Sequence, residues 1–182
     1  LESEVPPLEG RIFYNYPGQL DPIYEGTLAS PSVVARVVKD ALGNDQTQAT
    51  TYEYNAQGNV TKKTDPVGRQ TLTEYASNGI DVVAVKQRTG TSGGLPVWTT
   101  LTTLTYGSGA PPHRPATMTD GAGQTTTYTY TSTGQTATVT NAKGEVQTYT
   151  YETNPSSAAY DRVLSITGDV PGGNRTFTYD SA

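Results

Sequence analysis

The sequence lacks several residue types, and each absence excludes a class of protein. It has no cysteine, which excludes a disulfide scaffold and a thiolate metal site. Its net charge is −5, and its basic residues form no run longer than Lys62–Lys63, so the basic stripe of a nucleic-acid-binding protein is missing. Apolar runs such as Val82–Val85 are too short to span a membrane.

The residues that are abundant favour β-structure. There are 13 Tyr and roughly 30 Thr by count, and both types suit the half-buried surface of a sheet. Strong helix formers are sparse, whereas 19 Gly and 12 Pro punctuate the chain. With 2 Phe and 1 Trp, most of the aromatic packing must come from tyrosine. At 182 residues the chain is long enough to bury a hydrophobic core.

An internal repeat is visible as a series of fixed spacings. Asp120 to Gly123 is 3 positions, Gly123 to Tyr130 is 7, Tyr130 to Gly134 is 4, and Gly134 to Asn141 is 7. The repeat is therefore 21 residues long, and Asn141 begins the next unit. The same steps connect further residues, namely Tyr54, Gly58, Asp65, Gly68, Tyr75 and Gly79 in the first half of the chain and Gly172 and Tyr179 near its end.

The spacings predict a series of strands and tight turns. Each interval of 7 residues is a strand of roughly 23 Å at about 3.3 Å per residue. The Asp/Asn-x-x-Gly step is a tight turn, in which the first side chain bonds its own backbone and the glycine accepts positive φ. The Tyr-x-x-x-Gly step is the opposite turn. Together these steps predict an all-β fold, an antiparallel β-meander of 21-residue repeats forming a curved or spiral sheet.

Tyrosine pairs at positions i and i+2 mark one face of this sheet, because side chains alternate along a strand. Threonines and Glu53 fill the other face. The predicted site residues are therefore structural repeat positions, and they are Tyr52, Tyr54, Gly58, Asp65, Gly68, Tyr75, Gly79, Asp120, Gly123, Tyr128, Tyr130, Gly134, Asn141, Gly144, Tyr149, Tyr151, Phe177 and Tyr179.

Departures from the spacing predict the domain organisation. Residues 1–32 carry no repeat unit and are expected to be an irregular lead-in segment. Residues 33–182 form the array, with turn insertions near 80–97, 107–115 and 154–161. Within the first insertion, residues 88–96 are expected to be a surface loop. Insertions at turns are tolerated because the entropic cost of loop closure grows slowly with length.

No catalytic arrangement is predicted. His113 is the only histidine and lies in a proline-rich insertion, so it is expected to be an exposed loop residue. The carboxylates Asp65, Asp120 and Asp169 could suggest a hydrolase or a calcium site. Asp65 and Asp120 are explained by turn formation, since they recur with the repeat. We therefore expect no enzyme activity, no metal and no cofactor.

Three stretches resemble the YD repeat of the bacterial RHS family: Tyr52–Val60, Asp65–Arg69 and Tyr128–Gln135. That repeat runs aromatic-x-Tyr-Asp-x-x-Gly-Arg-hydrophobic, followed by Asp-x-x-Gly-Arg. The resemblance covers about residues 33–182. Departures are that the Asp after the second tyrosine is kept only as Asp180, and the Arg after glycine only as Arg69.

The resemblance implies a large secreted or cell-surface bacterial protein. Repeats of this family wind into a β-sheet shell, which in toxin systems encloses a C-terminal effector. The shell-closing core of the family is not visible, so we expect an internal or N-terminal section of such an array. Its expected partners are neighbouring repeats of the same polypeptide or like subunits, with an enclosed effector domain or surface glycans as further candidates. Two alternatives are an extracellular fibre-forming subunit and a glycan-binding adhesin module.

Overall fold

The computed structural model describes residues 2–4, 11–21, 26–107, 109–169 and 173–180. These ranges contain β-strands and turns but no α-helix, so the predicted all-β class is confirmed. Within them, no helix has the length and apolar character needed to cross a membrane. Contacts between Cα atoms divide the chain into two compact units, Leu1–Leu101 and Thr102–Ala182.

The first unit contains seven complete strands and most of an eighth. They are β1 (Glu2–Glu4), β2 (Ile12–Asn15), β3 (Val33–Lys39), β4 (Asp45–Tyr54), β5 (Val60–Thr64), β6 (Gln70–Tyr75), β7 (Val82–Ser92) and β8 (Leu95–Thr105). Every pairing described from β1 to β7 is antiparallel and joins strands that are consecutive in the chain. The boundary between the units lies within β8.

The second unit continues from the end of β8. Its strands are β9 (Thr117–Asp120), β10 (Thr125–Tyr130), β11 (Thr136–Thr140), β12 (Val146–Tyr151), β13 (Val163–Gly168) and β14 (Arg175–Thr176). Each is antiparallel to the strand before it, and the hydrogen-bonded order is the order in the chain. The predicted antiparallel meander is thereby confirmed.

Although the chain is long enough to bury a hydrophobic core, the described residues form almost none. Among the described residues, only Ala84 and Ala159 are buried, and no large side chain is fully buried. The reason is that no helix packs on the strands in the described ranges, so side chains on each face are covered mainly by their neighbours. Most strand residues are consequently half-buried.

The segment 88–96, expected to be a surface loop, is strand apart from Gly93 and Gly94. These two glycines have φ of 57° and 81°, as a two-residue type I′ hairpin turn requires. The loop prediction failed because glycine was interpreted as a sign of a loop rather than of a tight turn.

The other predicted departures have different structures. The segment expected as an irregular lead-in contributes β1 and β2. The insertions near 107–115 and 154–161 contain turns, as in the hydrogen bond from the Arg114 N–H to the Pro111 carbonyl. Gly172, which the spacing relates to Tyr179, lies outside the described residues.

Candidate functional site

A five-residue hairpin loop recurs along both units. The N–H of its first residue donates to the carbonyl of the fifth, and the N–H of the fourth donates to the carbonyl of the first. In the loop that begins at Asp120, the bonds from Asp120 to Gln124 and from Gly123 to Asp120 are both 3.0 Å. The first and fifth residues close the loop and three residues connect them. This connection is a type I turn followed by a residue with left-handed backbone conformation. The fourth residue is a glycine with φ between 80° and 88° at positions 43, 58, 68, 123, 134 and 144.

The first side chain of the loop fixes the loop backbone. The Asp120 Oδ1 accepts hydrogen bonds from the N–H groups of Ala122 and Gln124, each at 2.9 Å. The same two bonds form in four other loops, whose first residues are Asp40, Asn55, Asp65 and Asn141. The carboxylate or amide oxygen thus accepts two loop N–H groups that do not take part in the hydrogen bonds between the strands.

The electrostatics of two of these aspartates reflect their hydrogen bonds. The backbone N–H of Asn44 holds the pKa of Asp40 below its ordinary value, against an opposing effect of desolvation. At Asp65, desolvation raises the pKa, but hydrogen bonds from Arg69 and from the Val67 N–H outweigh it and lower the pKa overall. The Arg69 guanidinium lies 2.6 Å from the Asp65 carboxylate. Both aspartates therefore serve the loop as carboxylates.

Two of the Tyr-x-x-x-Gly steps form the same loop as the Asp/Asn-x-x-Gly step, whereas the step from Tyr75 to Gly79 forms a loop one residue longer, in which the Ala76 N–H donates to the Asp81 carbonyl. Asn55-x-x-Gly58 and Thr131-x-x-Gly134 have the backbone hydrogen bonds of Asp120-x-x-Gly123. At Thr131, the hydroxyl oxygen accepts the Gln135 N–H at 3.0 Å in place of a carboxylate. The Tyr-x-x-x-Gly step hid this identity because it was counted from the tyrosine rather than from the residue after it.

The second tyrosine of each aromatic pair, and also Tyr75, which has Thr73 in place of a first aromatic residue, bonds back to a preceding strand. Its hydroxyl donates to a backbone carbonyl at or just before the beginning of that strand. We call this contact the tyrosine latch. The bonds are Tyr54 to Pro31 at 2.7 Å, Tyr75 to Val60 at 2.9 Å, Tyr130 to Pro115 at 2.6 Å, Tyr151 to Thr136 at 2.8 Å and Tyr179 to Val163 at 2.8 Å.

The first position of each pair has no such bond. It is Tyr52, Tyr128 or Tyr149 in three units and Phe177 in the last, where no hydroxyl exists. Sequence reasoning found the aromatic pairs but missed that their members differ. A spacing of 15 residues between latch tyrosine and acceptor, seen in three of the five latches, is the signal that it overlooked.

Burial affects the latch tyrosines electrostatically. Desolvation raises the pKa of Tyr54, Tyr75, Tyr130 and Tyr151 above the ordinary tyrosine value. Because the phenolate would lose the donor that binds the carbonyl, the latch requires the protonated form.

The strand pairing skips one residue beside four of the five latch tyrosines. Thr129 pairs with Thr138, yet Tyr130 pairs with Thr136, so Ala137 has no partner on β10. The same skip occurs in three other pairs of strands, at Thr61, Val83 and Leu164. Each skip is a β-bulge that places one extra residue on the strand after the latch tyrosine.

In the second unit, the face opposite the tyrosines is covered with hydroxyl groups. Following the paired residues from β8 to β14, this face carries Thr103, Thr105, Thr117, Thr119, Thr125, Thr127, Thr129, Thr138, Thr140, Thr148, Thr150, Ser165, Thr167 and Thr176, with Val146 among them. Hydroxyls bond across strands, as between Thr129 and Thr138 at 2.6 Å. Cross-strand threonine pairs of this kind stabilise a sheet.

In the first unit, the corresponding face carries charges. Lys62 pairs with Glu53, and the Lys86 Nζ lies 2.6 Å from the Glu74 carboxylate. Exposed ion pairs of this kind contribute up to about 1 kcal/mol each. The first unit also has an open hollow of ≈ 240 Å³, which is lined by Lys63, Asp65, Arg69, Thr71 and Gln87. The Asp65 carboxylate in this hollow already accepts the N–H groups of Val67 and Arg69 in its own loop.

The residues considered for catalysis are not brought together. His113 is exposed in the turn that begins at Pro111 and has a φ of 62°. Asp169 accepts the N–H of Val146 at 3.2 Å, while Asp65 and Asp120 hold their own loops. Within the described ranges, no three His, Asp or Glu side chains are grouped so that they could hold a metal ion.

A family model matches part of the chain. Residues 37–70 match the family model described as RHS Repeat. This stretch is therefore similar to an RHS repeat. It contains the loops that begin at Asp40, Asn55 and Asp65, and the latch tyrosine Tyr54, so the resemblance stated from the sequence is confirmed. No curated protein matches the chain.

Solved structures share the fold. The crystal structure of TcdB2-TccC3-Cdc42 matches with a TM-score of 0.59 and 16% identity over 88% of this chain. The crystal structure of TcdB2-TccC3 matches with a TM-score of 0.56 and 17% identity over 77% of this chain. This chain spans 8% and 7% of the matched chains. At this identity the likeness establishes the antiparallel β-fold and nothing about activity.

Proposed function

We propose that this chain is a non-catalytic structural segment of a large secreted or cell-surface bacterial RHS-repeat protein, of the kind that builds a β-shell in polymorphic toxins. The observation that supports this most directly is the recurrence of one loop and one tyrosine latch through both units. The side chains that are most chemically suggestive, the loop aspartates and the latch tyrosines, are used by the strands and turns themselves. Their role is to hold adjacent strands in register.

The proposal includes the partners of such a segment. Its neighbours are further repeats of the same polypeptide, and an enclosed effector domain is the expected content of the completed shell. Glycan recognition has less support, because the hydroxyl of each latch tyrosine is bonded to backbone, as at Tyr54 and Tyr151. A glycan array read with the purified chain tests this point. Binding that is lost when Tyr52 and Tyr128 are replaced by Ala would contradict the structural role.

Removal of one whole unit tests the modular repeat on which the proposal depends. Deletion of residues 120–140 joins Thr119 to Asn141, so that the loop Asn141-x-x-Gly144 replaces the loop Asp120-x-x-Gly123. We expect the shortened chain to unfold cooperatively and to keep its β circular dichroism, because repeat arrays tolerate loss of a unit.

Deletion of residues 120–139, one residue fewer, is the matched control. It moves the strands after the junction by one position and exchanges their two faces. We expect a much lower unfolding midpoint for this control than for the deletion of 120–140. Equal midpoints would show that the 21-residue unit is not the structural module.

A further inference from the structure

Strands β7 and β8 extend beyond the strands beside them. Among the described pairs, β7 pairs with β6 no further than Gln87, and β8 pairs with β9 only over Thr102–Thr105. Residues 88–101, which we call the arm, therefore form a two-stranded hairpin closed by the Gly93–Gly94 turn. Each strand of the arm has one edge whose backbone groups no neighbouring strand of the described chain uses.

The edge of β8 carries few of the features that normally block a strand edge. Natural edges carry charged side chains, prolines or bulges that prevent another strand from adding to them. Leu95–Thr105 contains no charged residue, and Pro96, near its beginning, is the single proline. The free part of β7 differs, because Arg88 lies at its base and bonds to Gln70 and Thr91. The edge of β8 is therefore the more open of the two.

Large apolar side chains are exposed along the same part of β8. Leu95 is 72% exposed, Val97 41% and Leu101 43%. They occupy alternate positions and so lie on one face of the strand. Trp98, the only tryptophan of the chain, lies midway between the two leucines.

This order of residues is self-complementary in an antiparallel pairing. If β8 pairs with β8 of a second copy about a twofold axis through Trp98, Leu95 of each copy lies opposite Leu101 of the other. Val97 then lies opposite Thr99. Every directly opposed pair is free of like charges, which would otherwise destabilise it. An interface that matches itself in this way is what a twofold dimer requires.

We propose that the arm is a self-association site, at which the free edge of β8 pairs with the same edge of a second copy and joins the two sheets. Seven residues from each copy bury less area than a standard interface of about 1,200–2,000 Å². The dimer is therefore weak, with a dissociation constant on the order of micromolar or above. This inference is independent of the structural role proposed above, since a shell segment can be monomeric or dimeric.

Cross-linking between cysteine variants tests the register. Because the chain has no cysteine, Leu95→Cys and Leu101→Cys each introduce a single thiol. In the proposed pairing these two positions lie directly opposite each other, about 4.5–5.5 Å apart between Cα atoms, which suits a disulfide. Two copies of Leu95→Cys place their thiols about 20 Å apart, six residues along the strands. We expect oxidation of the mixture to give at least tenfold more covalent dimer than oxidation of either variant alone. Equal yields would overturn the proposal.

A concentration series tests association without a cross-link. In sedimentation velocity, the wild-type mass is expected to rise from 19.3 kDa toward twice that value, with a parallel blue shift of Trp98 emission. Thr99→Lys places a charge on the edge and is expected to weaken association at least tenfold. Ser92→Lys, on the other strand of the arm, is the matched control and should associate like the wild type.

Circular dichroism and thermal unfolding check that both lysine variants are folded. A wild-type chain that stays monomeric at every concentration overturns the proposal, and so does equal association of Thr99→Lys and Ser92→Lys. If Thr99→Lys does not fold, Leu95→Ser takes its place. It removes the Leu95–Leu101 contact at both ends of the pairing and is expected to weaken association by the same factor.

Discussion

Removal of a single hydroxyl from a latch tyrosine measures what the latch contributes. In Tyr130→Phe the ring remains, and only the 2.6 Å hydrogen bond to the Pro115 carbonyl is lost. A hydrogen bond of this kind contributes about 0.5–1.5 kcal/mol net. Because Tyr130 is half-buried, water can reach the released carbonyl only in part, and we expect a loss of about 1 kcal/mol in the free energy of unfolding. For a chain of this size, that corresponds to a decrease of about 2–4 °C in the unfolding midpoint.

Tyr128→Phe is the matched control, because it removes the same atom from the other member of the pair. Among the described residues, no hydrogen bond of the Tyr128 hydroxyl is present, so its loss should change stability by less than about 0.5 kcal/mol. Urea titration followed by circular dichroism gives both values. Equal losses in the two variants would refute the latch. The double variant Tyr130→Phe with Tyr151→Phe removes two hydrogen bonds that have different acceptors and should lose more stability than either single variant.

Further predictions concern the loop and the pH dependence. Asp120→Ala removes the acceptor of two N–H groups and should lose about 1–2 kcal/mol of unfolding free energy in urea titration, whereas Asp120→Asn should retain most of it. Gly123→Ala should lose about 1–2 kcal/mol of unfolding free energy because alanine is strained at the φ of 81°. No atom lies within 4 Å of the added carbon, so no steric clash contributes. Gly90→Ala, which is on a strand and equally open, is the control and should lose less than half as much. The raised pKa values of Tyr54, Tyr75, Tyr130 and Tyr151 mean that the folded state holds these phenolic protons more tightly than the unfolded state. The stability from this difference is complete below about pH 10 and is lost as the pH rises through the raised values. Thermal midpoints that stay constant between pH 9 and pH 12, measured beside the ultraviolet titration of tyrosine, would contradict this reasoning.

The regular part of the fold was predictable because it depends on local chemistry. Asp-x-x-Gly at Asp65 and Asp120 forces a turn through one side chain and one glycine, and both residues are visible in the sequence. The alternation of tyrosine and threonine then predicts the two faces of each strand. These features require no knowledge of distant contacts.

The remaining features depend on contacts between strands, and the sequence pattern does not reveal them. The acceptor of the Tyr75 hydroxyl is the carbonyl of Val60, and a backbone carbonyl exists at every residue, so no residue type marks it. The extension of β7 and β8 is likewise set by where β6 and β9 end. A run containing glycine and proline indicates a loop or a tight turn equally well, and only the pairing decides between them.

The residue skipped beside four of the latches lets a repeat with an odd number of residues keep its tyrosines on one face of the sheet. A repeat of 21 residues is odd, whereas side chains along a strand change sides every residue. Tyr128 pairs across the strands with Val139, and Val139 pairs with Gln147. Gln147 is two residues before Tyr149 on the same strand, so Tyr128 and Tyr149 lie on the same face of the sheet. Without the skip at Ala137, Tyr128 would lie in the same row of paired residues as Thr148. The next aromatic pair would then lie on the opposite face of the sheet. A one-residue insertion or deletion at the skip would therefore exchange the two surfaces of every strand that follows. The bulge is in this sense a parity correction, made once per repeat, that keeps the aromatic and hydroxyl surfaces continuous over any number of repeats.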